Sequence, residues 1–239
     1  MDTILQGFIG ALRLVTTFNP ELVRIIGLSL QVSGSALLLA TLLGVPCGAL
    51  LALRRFPLRG LILGILNTGM GLPPVVVGLF LYLILSRSGP LGFMAVLYTP
   101  SAMVIAQTIL AFPIVASLSH AAIVGVDPII RVAAQTLGAT PRQEAVTVVL
   151  EARYGIMAGI IAAFGRVSAE VGAVLMVGGN IANYTRVMTT TIALETDKGN
   201  FDLGIALGMI LLTLSLLVNI ALRAVQRWRR VETGVRLWD

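Results

Sequence analysis

Residues able to do chemistry are scarce in this chain, and the scarcity narrows its function. One His (His120) and one Cys (Cys47) are present, so neither a disulfide framework nor a Cys- or His-based metal cluster is expected. No Gly-rich loop ends in Gly-Lys-Ser/Thr, so the chain itself is not expected to hydrolyse ATP. The apolar stretches hold no His/Asp/Glu cluster and no nucleophile beside a base, so no catalytic residue is assigned. One charged pair does stand out. Arg166 and Glu170 are four residues apart in an otherwise apolar run and share a helical face. A charge at the centre of a membrane costs roughly 2.5–3.5 kcal/mol on lenient insertion scales, so both groups must face protein or a water-filled cavity. Either they neutralise each other structurally, or Arg166 lends positive potential to an anion path, or the pair belongs to a gate.

The elements that would carry these residues are membrane helices. Of 239 residues, 57% are hydrophobic and 12% charged, whereas soluble domains are about 25% charged. The net charge of +6 would suggest nucleic acid in a soluble protein; here it reads as cationic flanks of membrane spans, with lipid and not nucleic acid as the neighbour. Ile25–Leu53, Gly60–Leu85 and Leu203–Leu222 carry no charge, Ser88–Val126 carries only His120, and Tyr154–Ile181 carries only Arg166 and Glu170. About 20 apolar residues cross a bilayer, so five spans are expected, the third near 101–123 because Pro90, Gly92 and Pro100 interrupt its approach. Met1–Thr17 lacks the basic start and cleavage site of a signal peptide. Its apolar residues recur at helical spacing, as in an amphipathic helix lying on a membrane or a partner.

Basic residues orient the spans, because basic loops stay cytoplasmic. Arg54, Arg55, Arg59, Arg131, Arg142, Arg153 and five tail arginines (Arg223, Arg227, Arg229, Arg230, Arg236) fall on one side, eleven in all. Arg13, Arg24, Arg87, Arg186 and Lys198 fall on the other. The N-terminus is expected outside, the C-terminus in the cytoplasm, and Trp228 at the inner interface. Pro46, Pro113 and the run 69-GMGLPPVVVG-78 place prolines inside the spans. Each removes a helical hydrogen bond, which survives in lipid only under a cover of protein or water. Gly71, Pro73 and Pro74 are therefore either packing kinks or lining of a pathway along which helices rock.

Between spans three and four lies 131-RVAAQTLGATPRQEAVTVVLEAR-153, too polar to continue either. Asp127-Pro128 reads as an N-cap with proline at the first helical position. Gly138 suits the left-handed residue ending that helix, and Thr140-Pro141 repeats the start signal with Glu144 in the first turn. The insert is thus helix, sharp turn, helix, entering span four through Arg153. Ala133 and Ala134 let another surface approach the backbone, and the insert has too few apolar residues to bury a core of its own, so it must dock. Read alone, the segment also fits an ordinary loop with two surface helices.

The two alanines, three further residues, a glycine and a long helical continuation resemble the cytoplasmic loop of ABC importer permeases. The resemblance implies that Val132, Ala133, Ala134, Leu137, Gly138, Ala139 and Thr140 form a coupling helix that inserts into a cleft on an ATPase subunit. Val148 and Leu150 match later aliphatic positions, while Val132 replaces the usual Glu and Glu151 a frequent Pro. The runs 168-SAEVGAVLMVGGNI-181 and 189-TTTIALETDKGNF-201 resemble the oxyanion branch, most of all tungstate permeases. The loop 178–204 that holds them reads physically as a docking surface, a re-entrant hairpin or a solvated linker.

The expected fold is all-α and integral to the membrane: about five transmembrane helices, an N-terminal amphipathic helix and a cytoplasmic coupling helix. Residues 1–24 form the amphipathic segment, 25–225 the permease domain with its coupling loop at about 127–153, and 226–239 a basic tail. The resemblance implies a multi-pass inner-membrane protein working with a second copy of itself, two cytoplasmic ATP-binding-cassette subunits that hold the ATP, and an external substrate-binding protein. No cofactor or metal is expected in the chain. The implied function is ATP-driven oxyanion import by alternating access, tungstate first, with molybdate or sulfate as the alternative. An ion-coupled secondary transporter is the alternative of another class; it would need membrane carboxylates or an inverted repeat, and Glu170 is the sole candidate carboxylate.

Overall fold

The computed structural model describes residues 20–232, the side chains of Asp202, Arg223 and Val225–Glu232 excepted. The expected amphipathic helix at 1–17 and Arg13 and Arg236 lie outside the described residues, as do the side chains of Trp228 and the other tail arginines. Among the described residues every regular element is helical: α1 Pro20–Leu53, α2 Arg59–Met70, α3 Pro74–Leu85, a 3-10 turn at Gly92–Met94, α4 Pro100–Val124, α5 Pro128–Thr136, α6 Pro141–Glu151, α7 Arg153–Ser168, α8 Gly172–Gly178, α9 Met188–Asp197 and α10 Phe201–Glu232. Among the described residues three helices are long and apolar enough to cross a membrane alone: α1, α4 and the Leu203–Leu222 part of α10. Counting α2 with α3 and α6 with α7 as bent spans gives up to five.

Two expected spans are broken. Pro46 and Pro113 stay inside α1 and α4 without ending them. In the second span Gly71 closes α2, its N–H bonding Thr68 O at 3.0 Å. Pro73, extended at φ −66 and ψ 122, then caps α3, with Pro74 in its first turn, where a missing N–H leaves no bond unmade. In the fourth, Tyr154–Ile181, helix stops at Ser168 and resumes at Gly172.

The chain forms two compact units. In the unit made of 37–72 and 108–164, Ile123, Val148, Ala152 and Ile156 form a buried cluster flanked by Val45, Ala49 and Ile160. A second cluster joins Leu51, Leu66 and Ala116, with Cys47 and Phe112 against it. Arg59 Nε donates to Leu51 O at 2.6 Å, satisfying a carbonyl at the C-terminus of α1, and its Nη2 lies 3.2 Å from His120 Nε2. Arginine cannot accept a hydrogen bond, so His120 accepts through Nε2. The lone histidine is thus a partner of Arg59.

In the unit made of 20–36, 73–107 and 165–232, α3 runs against α8 and α9 against α10. The first pair meets most closely at Gly78, where an added Cβ would sit 2.8 Å from Ala173 Cα. Only glycine lets the two backbones approach so far.

Candidate functional site: a broken helix and a helical hairpin

The break in the fourth stretch is built by side chains from distant parts of the chain. Ending a helix at Ser168 orphans its last carbonyls, and starting another at Gly172 orphans its first N–H groups. Gln107, on α4, donates Nε2–H to Val167 O at 3.0 Å. Thr189, on α9, donates Oγ1–H to Glu170 O at 2.9 Å. Glu170 turns back to accept from Ala173 N–H at 3.0 Å, capping α8. Its carboxylate is 3% exposed and lies 3.7 Å from Arg166 Nη1. Glu170 is therefore first a cap and second an ionic partner, because 3.7 Å is long for a charge-assisted bond. Gly172 abuts the start of α3: a Cβ there would meet Val75 Cγ2 at 2.8 Å. The N-termini of α3 and α8, each following a break, are thus adjacent.

Helix α9 holds this arrangement from the other side. Thr189, Thr190 and Thr191 are buried. The first turn is closed by Thr190 Oγ1, which accepts from Val187 N–H at 3.2 Å, and by Thr191 Oγ1, which donates to Val187 O at 2.7 Å. Met188 N–H donates to Ser29 Oγ of α1 at 2.9 Å. So within 178–204 the stretch 185–195 is packed against the rest of its unit, while 181–184 and 196–201 are exposed. Thr189→Val keeps the side-chain volume but leaves Glu170 O without its donor, and is expected to destabilise the chain by about 1–2 kcal/mol, read as a lowered thermal midpoint in detergent. Beside the break, Ser29, Ser33, Gln107, Ser168 and Thr189 wall a small cavity with no charged lining residue.

The Glu195–Asn200 segment is a turn that closes α9. Gly199 adopts φ +78, and Asn200 N–H bonds Glu195 O at 2.8 Å, the pattern of a Schellman C-cap. The Glu195 carboxylate accepts from Asn200 Nδ2 at 2.8 Å and Lys198 Nζ at 2.9 Å. These contacts, Asn200 first and Lys198 next, hold its pKa below the usual glutamate value. A depressed folded pKa means the contribution is present above the unfolded pKa and lost as pH falls through the folded one. Thermal midpoints measured from neutral pH into the acid range are therefore expected to fall more steeply for the native chain than for Glu195→Gln.

The 127–153 insert folds as its caps require. Asp127 Oδ1 accepts from Ile129 N–H at 2.9 Å. Gly138 sits at φ +78, and the turn is closed by Gly138 N–H to Gln135 O at 2.9 Å and Ala139 N–H to Ala134 O at 3.0 Å. Thr140 and Gln143 form a reciprocal capping box, and Gln135 Nε2 bonds Glu144 Oε2 at 3.0 Å, tying α5 to α6. Helix α6 docks on its own unit through Val148, which is fully buried. Helix α5 buries none of its residues; Ile129, Val132 and Ala133 are exposed, and Leu137 at its end is 87% exposed. A short ordered hairpin presenting an apolar face is what a partner's groove can receive.

Of the residues expected from the sequence, Val132 to Thr140 lie together on this hairpin, and Arg166 and Glu170 lie together at the break. Pro73 and Pro74 start the helix that touches Gly172, while Gly71 closes α2. Sequence reasoning misses Gln107, Ser29, Ser168 and Thr189, although Gln107 is the most polar side chain in the first half of α4.

Residues 44–231 match the family described as binding-protein-dependent transport system inner membrane component. A probable anion ABC transporter permease protein of Haloferax volcanii is 48% identical over 203 residues, 83% of this chain and 88% of that protein. A tungstate uptake system permease protein of Peptoclostridium acidaminophilum is 38% identical over 95% of this chain and 99% of its own length. Sulfate and molybdenum permease proteins match at 28–31% identity. Among solved structures, a chain of the bacterial alginate ABC transporter in complex with an alginate-bound periplasmic protein superposes with a TM-score of 0.69, covering 92% of this chain and 82% of that chain at 22% identity, which shows a shared fold. The broken and unbroken apolar helices, the exposed hairpin and these relatives agree: the chain is a multi-pass membrane protein belonging to the binding-protein-dependent transport system inner membrane components, the permease subunits of ABC importers.

Proposed function

We propose that this permease carries tungstate across the inner membrane by ATP-driven alternating access, with molybdate or sulfate as the second substrate reading. The observation that carries the substrate is the likeness to a tungstate uptake permease along 95% of this chain. It assembles as two copies with two ATP-binding-cassette subunits, which bind and hydrolyse the ATP, and receives its oxyanion from an external binding protein. The arginine distribution supports an N-terminus outside and a C-terminus in the cytoplasm, with the permease domain beginning at Pro20, where α1 starts, and a basic tail at its end. The α5–α6 hairpin then faces the cytoplasm, where its exposed Val132, Ala133 and Leu137 fit the ATPase cleft. Closure of the ATPases moves α5, and the bundle rocks between inward- and outward-open states, flexing at Gly71–Pro74 and at the Arg166–Glu170 break. Val132 in place of an acid leaves shape as the main determinant of that fit. Calorimetric titration of the cognate binding protein with tungstate, molybdate and sulfate tests the substrate. Tungstate is expected to bind most tightly; preference for an amino acid would overturn the oxyanion reading and leave the transporter class standing.

A further inference from the structure

We infer that the cavity beside the break in the fourth stretch is a binding site for one water molecule, held by Gln107 and Ser168. Gln107 is 3% exposed, and its amide orientation is set by the Nε2–H bond to Val167 O at 3.0 Å; a flipped amide would set oxygen against oxygen. Its Oε1 is therefore fixed as an acceptor. It is buried with no protein donor in reach, and so is Ser168 Oγ. Both residues line the same cavity, together with Ser33. The cavity volume is about 10 Å³, about what one water needs. A buried polar atom without a partner is costly, and two such atoms on residues lining one water-sized space are the condition under which buried water is retained. Water can donate to Gln107 Oε1 and exchange a bond with Ser168 Oγ, whose proton turns either way.

Other occupants fit less well. A tetrahedral oxyanion needs far more room, and the fixed Oε1 would repel it. A hard cation takes about six or more oxygens, carboxylates among them, whereas the side chains lining the cavity offer five neutral ones, from Ser29, Ser33, Gln107, Ser168 and Thr189, and Ser29 Oγ already accepts from Met188 N–H. The site sits one residue from the unwound backbone. When the break flexes, this water takes over bonds that Gln107 or the Val167 carbonyl gives up, which lets a discontinuous helix bend inside protein without stranding a polar group.

The test compares Ser168→Ala with the native full chain in detergent and adds an experimental structure resolved well enough to show waters. A hydrated site loses a water partner, and the thermal midpoint is expected to fall by roughly 2–4 °C. In a dry site the variant only removes an orphaned hydroxyl, so an unchanged or raised midpoint overturns the inference. Density within hydrogen-bonding distance of both Gln107 Oε1 and Ser168 Oγ supports it, and its absence contradicts it. A midpoint that rises with sodium but not with choline chloride would assign the cavity to a cation and overturn the water assignment.

Discussion

Gly138→Val is expected to lower ATP-driven uptake by about tenfold or more while leaving the membrane helices folded. Gly138 holds φ +78, and an added Cβ would meet nothing within 4 Å, so crowding is not the obstacle. The obstacle is the backbone: an L-residue in the left-handed region costs roughly 1–2 kcal/mol, and a β-branched one is a true outlier there. Relief requires opening the bonds from Gly138 N–H to Gln135 O and from Ala139 N–H to Ala134 O, which fix the angle between α5 and α6. Because α6 is anchored by buried Val148, the element that moves is α5. In the proposed assembly α5 transmits ATPase closure, and a displacement that raises the barrier to that motion by about 1.4 kcal/mol lowers the rate tenfold. Gly138→Asn, which tolerates the left-handed region, is expected to retain most activity. Uptake and substrate-stimulated ATP hydrolysis should fall together in the valine variant. Unchanged transport in it would remove α5 from the coupling role.

Glu170→Leu is expected to be the most destabilising single change at the break. It removes the acceptor for Ala173 N–H and leaves Arg166, 38% exposed, without its carboxylate. Leaving the buried Ala173 N–H without an acceptor costs about 1–3 kcal/mol. Loss of the 3.7 Å pair to a partly exposed Arg166 adds up to about 1 kcal/mol, for about 3 kcal/mol together, or on the order of 10 °C in thermal midpoint. Glu170→Gln keeps an oxygen for Ala173 N–H and should cost about 1 kcal/mol. Equal losses in the two variants would mean that the charge, not the cap, governs the site.

How far the sequence foretold these elements depended on the range of each signal. Both starts of the α5–α6 hairpin and its Gly138 turn were legible, because Asp127-Pro128, Gly138 and Thr140-Pro141 each act within a few positions of themselves; the end of α6 at Glu151, before α7 begins at Arg153, was not. The apolar runs located α1, α4 and the core of α10. The break at 169–171 was not legible: Glu170 is visible as a charge, but the groups that satisfy the unwound backbone come from Gln107, 60 residues before Val167, and Thr189, 19 residues after Glu170. Helix α9 was visible only as apolar content in a polar loop, and its start is fixed by Ser29, 159 residues away. The Arg59–His120 contact likewise spans 61 residues. Local caps are written in consecutive residues, whereas the partners of a broken helix are chosen by tertiary packing.

The central claim, that this chain is the membrane path of an ATP-driven oxyanion importer, is met most directly in proteoliposomes. The chain is reconstituted with its ATP-binding-cassette subunits, the binding protein is added on the opposite face, and tungsten accumulation is measured by elemental mass spectrometry. Accumulation is expected to require ATP, the binding protein and tungstate together. Accumulation driven by an ion gradient in the absence of the ATPase subunits would contradict it.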